Sequence, residues 1–178
     1  MTENELNYCA QVAAKIENVR NYLQENCLGD PIDPLEWFTF LSSIKEIQGN
    51  FNNDHGFIST WLAKKYLLEN FEISFDAAEK PQGAPGIDID LELLNGARLV
   101  AEIKTTVPYQ ENDFGSNQKT SLEKDFKKLR ETEADHKFML VTDQRAFQFL
   151  QKKKYLEQLP GVLIVLLTTG EAYQVPLE

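Results

Sequence analysis

The chain has 178 residues, 42% of them hydrophobic, and a formal net charge of −10 at pH 7. That size suits one globular domain with its own core, expected over 1–178, and the charge argues against generic nucleic-acid binding. The longest aliphatic run, Val162–Leu167, is too short to cross a bilayer, so no membrane partner is expected.

The acidic start MTENEL has no apolar segment and does not read as a secretory signal. Thr2 and Glu5 have capping-box spacing and predict a helix to about Cys27, closed by Gly29. Leu6, Ala10, Ala13, Ile16, Val19 and Leu23 form its apolar stripe. Cys9 and Cys27 lie too far apart along it to bridge, which suits reduced thiols and a cytoplasmic protein. Asp33-Pro34 opens a second helix that stops near Gly49. GNFNNDHG (49–56) reads as a polar turn, and a third helix as 56–70. Trp37 and Trp61 fall on apolar helix faces and are expected in the core.

The period then changes. FEISF (71–75) alternates like a short strand, and residues 87–94 and 98–106 read as a hairpin. A polar connection follows. Thr120 and Glu123 have capping-box spacing for a helix to about Thr132, with Leu122, Phe126 and Leu129 inward. KFMLVT (137–142) is a buried strand, Asp143 caps another helix, Pro160-Gly161 breaks it, 162–168 is a central strand and 172–175 an edge strand. The order predicts an α/β fold, a mixed sheet flanked by helices behind an N-terminal helical segment, 1–50. Those first helices could pack on the sheet or form an oligomer contact.

Side-chain parity makes the hairpin informative. Odd positions Ile87, Ile89, Leu91, Leu93, Leu99, Ala101 and Ile103 are all apolar, whereas even positions carry Asp88, Asp90, Glu92, Arg98, Glu102 and Lys104. A two-residue Asn95-Gly96 turn would set even against odd. An odd-length loop is therefore predicted, most simply three residues with Gly96 at positive φ. Two registers satisfy this. One places Asp90 opposite Glu102, the other Asp88 opposite Glu102. Either brings carboxylates together, which is destabilising unless a cation intervenes. Oxygen-only ligands suit a hard ion, Mg²⁺ or Mn²⁺, held by Asp88, Asp90 and Glu102, with Lys104 beside it. The bland alternative is a solvated hairpin face with a Glu–Lys pair.

The same residues resemble the active-site motif of the PD-(D/E)XK nuclease superfamily, the restriction-endonuclease-like fold. Glu102-Ile103-Lys104 fits its Glu-x-Lys, and Asp88 in Pro85-Gly86-Ile87-Asp88 fits its first Asp, with Asp90 a close rival. The resemblance covers about residues 55–168. It implies Mg²⁺-dependent hydrolysis of DNA phosphodiesters, with Asp88 and Glu102 on the metal and Lys104 serving the attacking water. Glu69, on the preceding helix, is the nearest further acid. A short chain of this kind looks most like a type II restriction endonuclease acting as a homodimer on double-stranded DNA, without a nucleotide cofactor. Two other readings stay open: a non-catalytic binding or assembly module on the same fold, and a repair or recombination nuclease.

Charge is uneven along the chain. Gly115–Arg130 holds five bases against two acids. Gln118, Lys119 and Lys127 are the candidate DNA contacts, with Lys124, Lys128 and Arg130 nearby, and Lys119 is the best placed, near the helix start. Their plain alternative is a solvated helix face with pairs such as Glu123–Lys127. Lys152–Lys154 complement a helix C-terminus. The loop holding Tyr109, Asn112, Asp113, Phe114, Ser116 and Asn117 could read base edges or be a mobile connection.

Overall fold

The computed structural model describes residues 1–27 and 33–177. They form two compact units, Met1–His55 and Gly56–Glu178, with the division inside one helix.

In the first unit, α1 (Glu3–Glu25) begins with the capping box foreseen: Glu5 N–H donates to Thr2 Oγ1 and Thr2 N–H to Glu5 Oε2. It ends at Glu25, because Asn26 turns extended and its side-chain amide donates to the Tyr22 carbonyl. Gly29, expected to close it, lies outside the described residues. Helix α2 (Pro34–Gln48) has Asp33 as N-cap, accepting from Leu35 N–H, and Gly49 at φ 64° as its end. The expected α1 stripe is not buried. Leu6, Ala10, Ala13, Ile16 and Leu23 of it are exposed, and Val19 alone is half-buried, joining Tyr8, Val12 and Tyr22 on a different apolar face, with Tyr22 against Phe40 of α2. Trp37 and Trp61 are half-buried rather than core.

Helix α3 runs Phe51–Phe71, so the predicted polar turn is instead an N-terminus. Asn50 explains it: its side chain accepts from Asn53 N–H, and Asn is a strong N-cap. FEISF is not a strand. Phe71 is still helical, Glu72 takes φ 60°, and Ile73 N–H closes back on the Leu67 carbonyl. The helix end consumes the hydrogen bonds a strand would need.

The second unit is built on five strands in the order β1 (Ile89–Glu92), β2 (Arg98–Lys104), β3 (His136–Val141), β4 (Leu163–Leu166), β5 (Glu171–Gln174). The outer pairs are antiparallel and β2–β3 and β3–β4 are parallel, so the sheet is mixed, as expected. Helices α4 (Ser116–Glu131) and α5 (Gln144–Leu150) make the two parallel crossovers, and short α6 (Lys153–Leu156) follows. Because the strands advance in one direction, crossovers of one hand put both helices on one face.

Both faces are therefore covered. On one, Ala63, Tyr66 and Leu67 of α3 pack on Ile89, Leu99, Ala101, Phe138, Leu140 and Val165. On the other, Leu122, Phe126 and Leu129 of α4 and Ala146, Phe147 and Leu150 of α5 pack on Val100, Met139, Val141, Ile164 and Leu166. Each large side chain so buried is worth about 1.5–3 kcal/mol relative to exposure. Odd hairpin positions face α3, as parity requires. Ile87 is the exception. It packs with the α4 side, ahead of the regular pleat, after Gly86 turns the chain at φ 96°. Among the described residues, no helix is long and apolar enough to cross a membrane.

Candidate active site

The hairpin resolves the register. Ile89 pairs with Ala101 and Leu91 with Leu99. Leu93 N–H donates to the Ala97 carbonyl and Gly96 N–H to that of Leu93, enclosing a three-residue loop, Leu94-Asn95-Gly96, with Gly96 at φ 82°. This is the odd-length loop predicted, and it selects the register that sets Asp88 opposite Glu102. Asp90 instead lies opposite Val100. Its carboxylate is bidentate with Arg98 (2.9 and 2.7 Å) in an exposed pair. Arg98 holds the Asp90 carboxyl below its usual range, chiefly through that hydrogen bond.

Asp88 sits one residue before β1. Its Oδ2 accepts from Ile103 N–H at 2.8 Å, which tethers it between Glu102 and Lys104. Glu102 is 2% exposed, so the solvated-face reading does not describe it. Helix α4 covers it. Lys128 Nζ donates to both Glu102 oxygens at 3.0 and 3.1 Å and lies 3.7 Å from Asp125 Oδ1. Lys104 Nζ turns to the same helix, bonding Ser121 Oγ (2.7 Å) and Asp125 Oδ2 (2.5 Å). The result is a row of alternating charge, Glu102, Lys128, Asp125, Lys104, with Asp88 beside Glu102.

Electrostatics follow from that order. Burial pushes the Glu102 carboxyl up to about 8, and the neighbouring Asp88 charge adds to the rise, against the Lys128 hydrogen bond. For Lys128, burial lowers the pKa, but its hydrogen bond to Glu102 and the charges of Glu102, Asp125 and Asp88 outweigh it and leave it raised. Three carboxyl groups share two ammonium groups, and the row balances while Glu102 keeps the proton that its raised pKa favours.

A hard divalent cation fits this donor chemistry: two facing carboxylates, oxygen only, with a lysine ammonium as stand-in cation on one of them. Asp88 and Glu102 are the residues that would hold it. Among the described residues no group of three or more His, Cys, Asp or Glu side chains could hold a metal ion as they stand. The groove in front of the hairpin, ≈ 420 Å³, touches the cluster at Asp88 but not at Glu102 or Lys104. The other ionisable groups of the cluster lie under α4 and not in that groove.

Sequence reasoning missed the partners on α4. Ser121, Asp125 and Lys128 repeat at i, i+4 and i+7, which puts them on one helix face beside the inward Leu122, Phe126 and Leu129. That spacing was the available signal. Helix α4 also starts earlier than Thr120 suggested. Gly115 is its N-cap, and the Gln118 side chain accepts from Gly115 N–H, the one half of a capping box a glycine permits. Gln118 is thereby engaged, its amide also donating to the Val107 carbonyl.

Lys119 pairs with Asp113 at 2.8 Å, where Lys154 and Tyr155 also bind. Burial raises the Asp113 carboxyl, yet these hydrogen bonds hold it far below its usual range. Phe114 of the same loop is fully buried against Phe149 and Tyr155, so the connection is anchored. Lys127 points outward and pairs with Glu131 (3.7 Å) rather than Glu123. Glu69 is exposed and pairs with Lys65 on α3. Compared with known proteins, the chain matches no family model, no curated protein and no solved structure.

Proposed function

We propose that residues Gly56–Glu178 form a Mg²⁺- or Mn²⁺-dependent endodeoxyribonuclease of the PD-(D/E)XK type, a restriction-endonuclease-like unit cutting a short duplex site. The observation that supports it is the register: Asp88 opposite Glu102, with Lys104 two residues on, on a face roofed by a helix. When bound, the metal lowers the pKa of a water and neutralises charge on a phosphoryl oxygen. The chain's own residues do the positioning. Ile103 N–H fixes the Asp88 carboxylate, α4 excludes water from Glu102, and Asp125 with Ser121 holds the Lys104 ammonium on the same face. Asp90, tied to Arg98, supports the hairpin instead.

A second reading has its own observation. Lys128 on Glu102 and Asp125 on Lys104 partner the cluster internally, which suits a non-catalytic binding module on this fold. The test is incubation of the purified chain with plasmid and phage DNA and Mg²⁺, beside Lys104→Ala and Glu102→Ala. Cleavage that falls by about 10²-fold or more in both variants is expected. Equal behaviour of wild type and Lys104→Ala across many sequences overturns the nuclease reading. Mn²⁺ calorimetry adds a readout independent of substrate. Binding lost in Glu102→Ala supports the nuclease, and absence of binding with or without DNA supports the module. Preference for branched or single-stranded DNA would reassign the activity to repair or recombination.

A further inference from the structure

We infer that the Met1–His55 unit is a self-association module, in which α1 and α2 of one copy pack on α1 and α2 of a second. Among the described residues of this unit, only Glu5 and Asp54 are buried and no apolar residue is. Such a unit has not completed a core. Two contacts orient its helices. Tyr22 meets Phe40, while Lys15 and Gln48 converge on Asp54, so the middle of α1 lies near the end of α2, its later part near the middle of α2, and the pair is antiparallel.

Each helix carries two apolar arcs. The half-buried arcs are Tyr8, Val12, Val19 and Tyr22 on α1 and Trp37, Phe40, Ile44 and Ile47 on α2. The exposed arcs are Leu6, Ile16 and Leu23 on α1 and Leu35, Phe38 and Leu41 on α2. At 3.6 residues per turn, each exposed arc follows its half-buried partner by about 100–140° in the same rotational sense. Because the helices run antiparallel, those rotations bring both exposed arcs to one side of the hairpin.

The area argues for a second copy. The six exposed side chains are between 47% and 69% accessible. At roughly 100 Å² each they offer about 600 Å² per copy, the upper end of what a monomer leaves bare. Two copies face to face bury about 1,200 Å², where specific interfaces begin. A two-fold pairing makes the patch self-complementary and yields a four-helix arrangement. Arg20 is already held by Glu17 of its own helix at 2.5 Å, whereas Lys45 falls within the α2 arc and Glu46 at its margin, so a symmetry mate offers a base to an acid there. The proposal is independent of the nuclease reading.

Light scattering on the full chain after size exclusion tests it, with helix content followed by circular dichroism. Wild type is expected at twice the 20.4 kDa chain mass. Ile16→Glu/Phe38→Glu is expected to halve the mass at unchanged helix content. The milder Leu23→Gln/Leu41→Gln should weaken the dimer without unfolding, since both sites are more than 45% exposed in the single chain. A wild-type monomer overturns the proposal, as does a dimer that persists in both folded variants.

Discussion

Glu102 is the residue on which the charge row turns, and its titration has a measurable consequence. Its carboxyl stands near 8 in the folded chain against an ordinary 4.5, raised first by burial and then by Asp88. An acid whose folded pKa is raised binds more protons in the native than in the unfolded state. Stability is therefore highest below about pH 4.5 as far as this group is concerned and falls as pH rises toward 8, by at most about 5 kcal/mol. In EDTA, the wild-type Tm should drop between pH 5 and 9, while Glu102→Gln, which has no proton to lose there, stays flatter. Parallel curves would mean Lys128 keeps Glu102 ionised throughout. The two aspartates separate at the same scale. Asp88→Asn should abolish Mn²⁺ binding and cleavage. Asp90→Asn breaks only the exposed pair with Arg98 and should leave cleavage within about two-fold, as assayed by plasmid nicking.

At the scale of elements, the hairpin loop fixes which carboxylates meet. Gly96 holds φ 82°, open to solvent with nothing near a added Cβ, so the cost of a side chain there is backbone strain alone. Gly96→Val should cost about 1–2 kcal/mol in urea denaturation, with Leu94→Asn, at a fully exposed position, close to neutral. This loop was legible in the sequence because parity is a strict rule: seven odd apolar positions leave no even-length turn. Helix caps at Thr2, Asp33 and Asp143 were legible for a similar reason, a local side-chain hydrogen bond that the residue type announces. What was not legible depended on competition or on distance. FEISF alternates like a strand, but α3 extends through Phe71 and its end captures the Ile73 N–H. Asn50 was lost among polar neighbours that suggested a turn. The roof of the site was hidden most deeply, because nothing local in the sequence says that Lys128 and Asp125 come to rest on Glu102 and Lys104.

For the molecule as a whole, charge decides how DNA could be approached. Met1–His55 holds nine acids and three bases, leaving 19 and 15 in the rest, so neither unit is a basic platform. The candidate phosphate contacts on α4 also divide by partner. Lys119 is held by Asp113, which Lys154 shares, and Lys128 by Glu102, whereas Lys127 is exposed and held only by a loose pair with Glu131. A cation already bound inside the protein releases no counterion when DNA binds; an outward one releases about one. The dependence of log K on log salt for a short duplex, measured by fluorescence anisotropy, should thus be shallow for so acidic a chain. Lys127→Ala should reduce its slope by about 1. Lys119→Ala should leave the slope unchanged, because its ammonium is tied into the Asp113 anchor instead of facing outward. Equal slope losses in both variants would show that Asp113 releases Lys119 on binding, with the loop around Phe114 then following the DNA rather than the core.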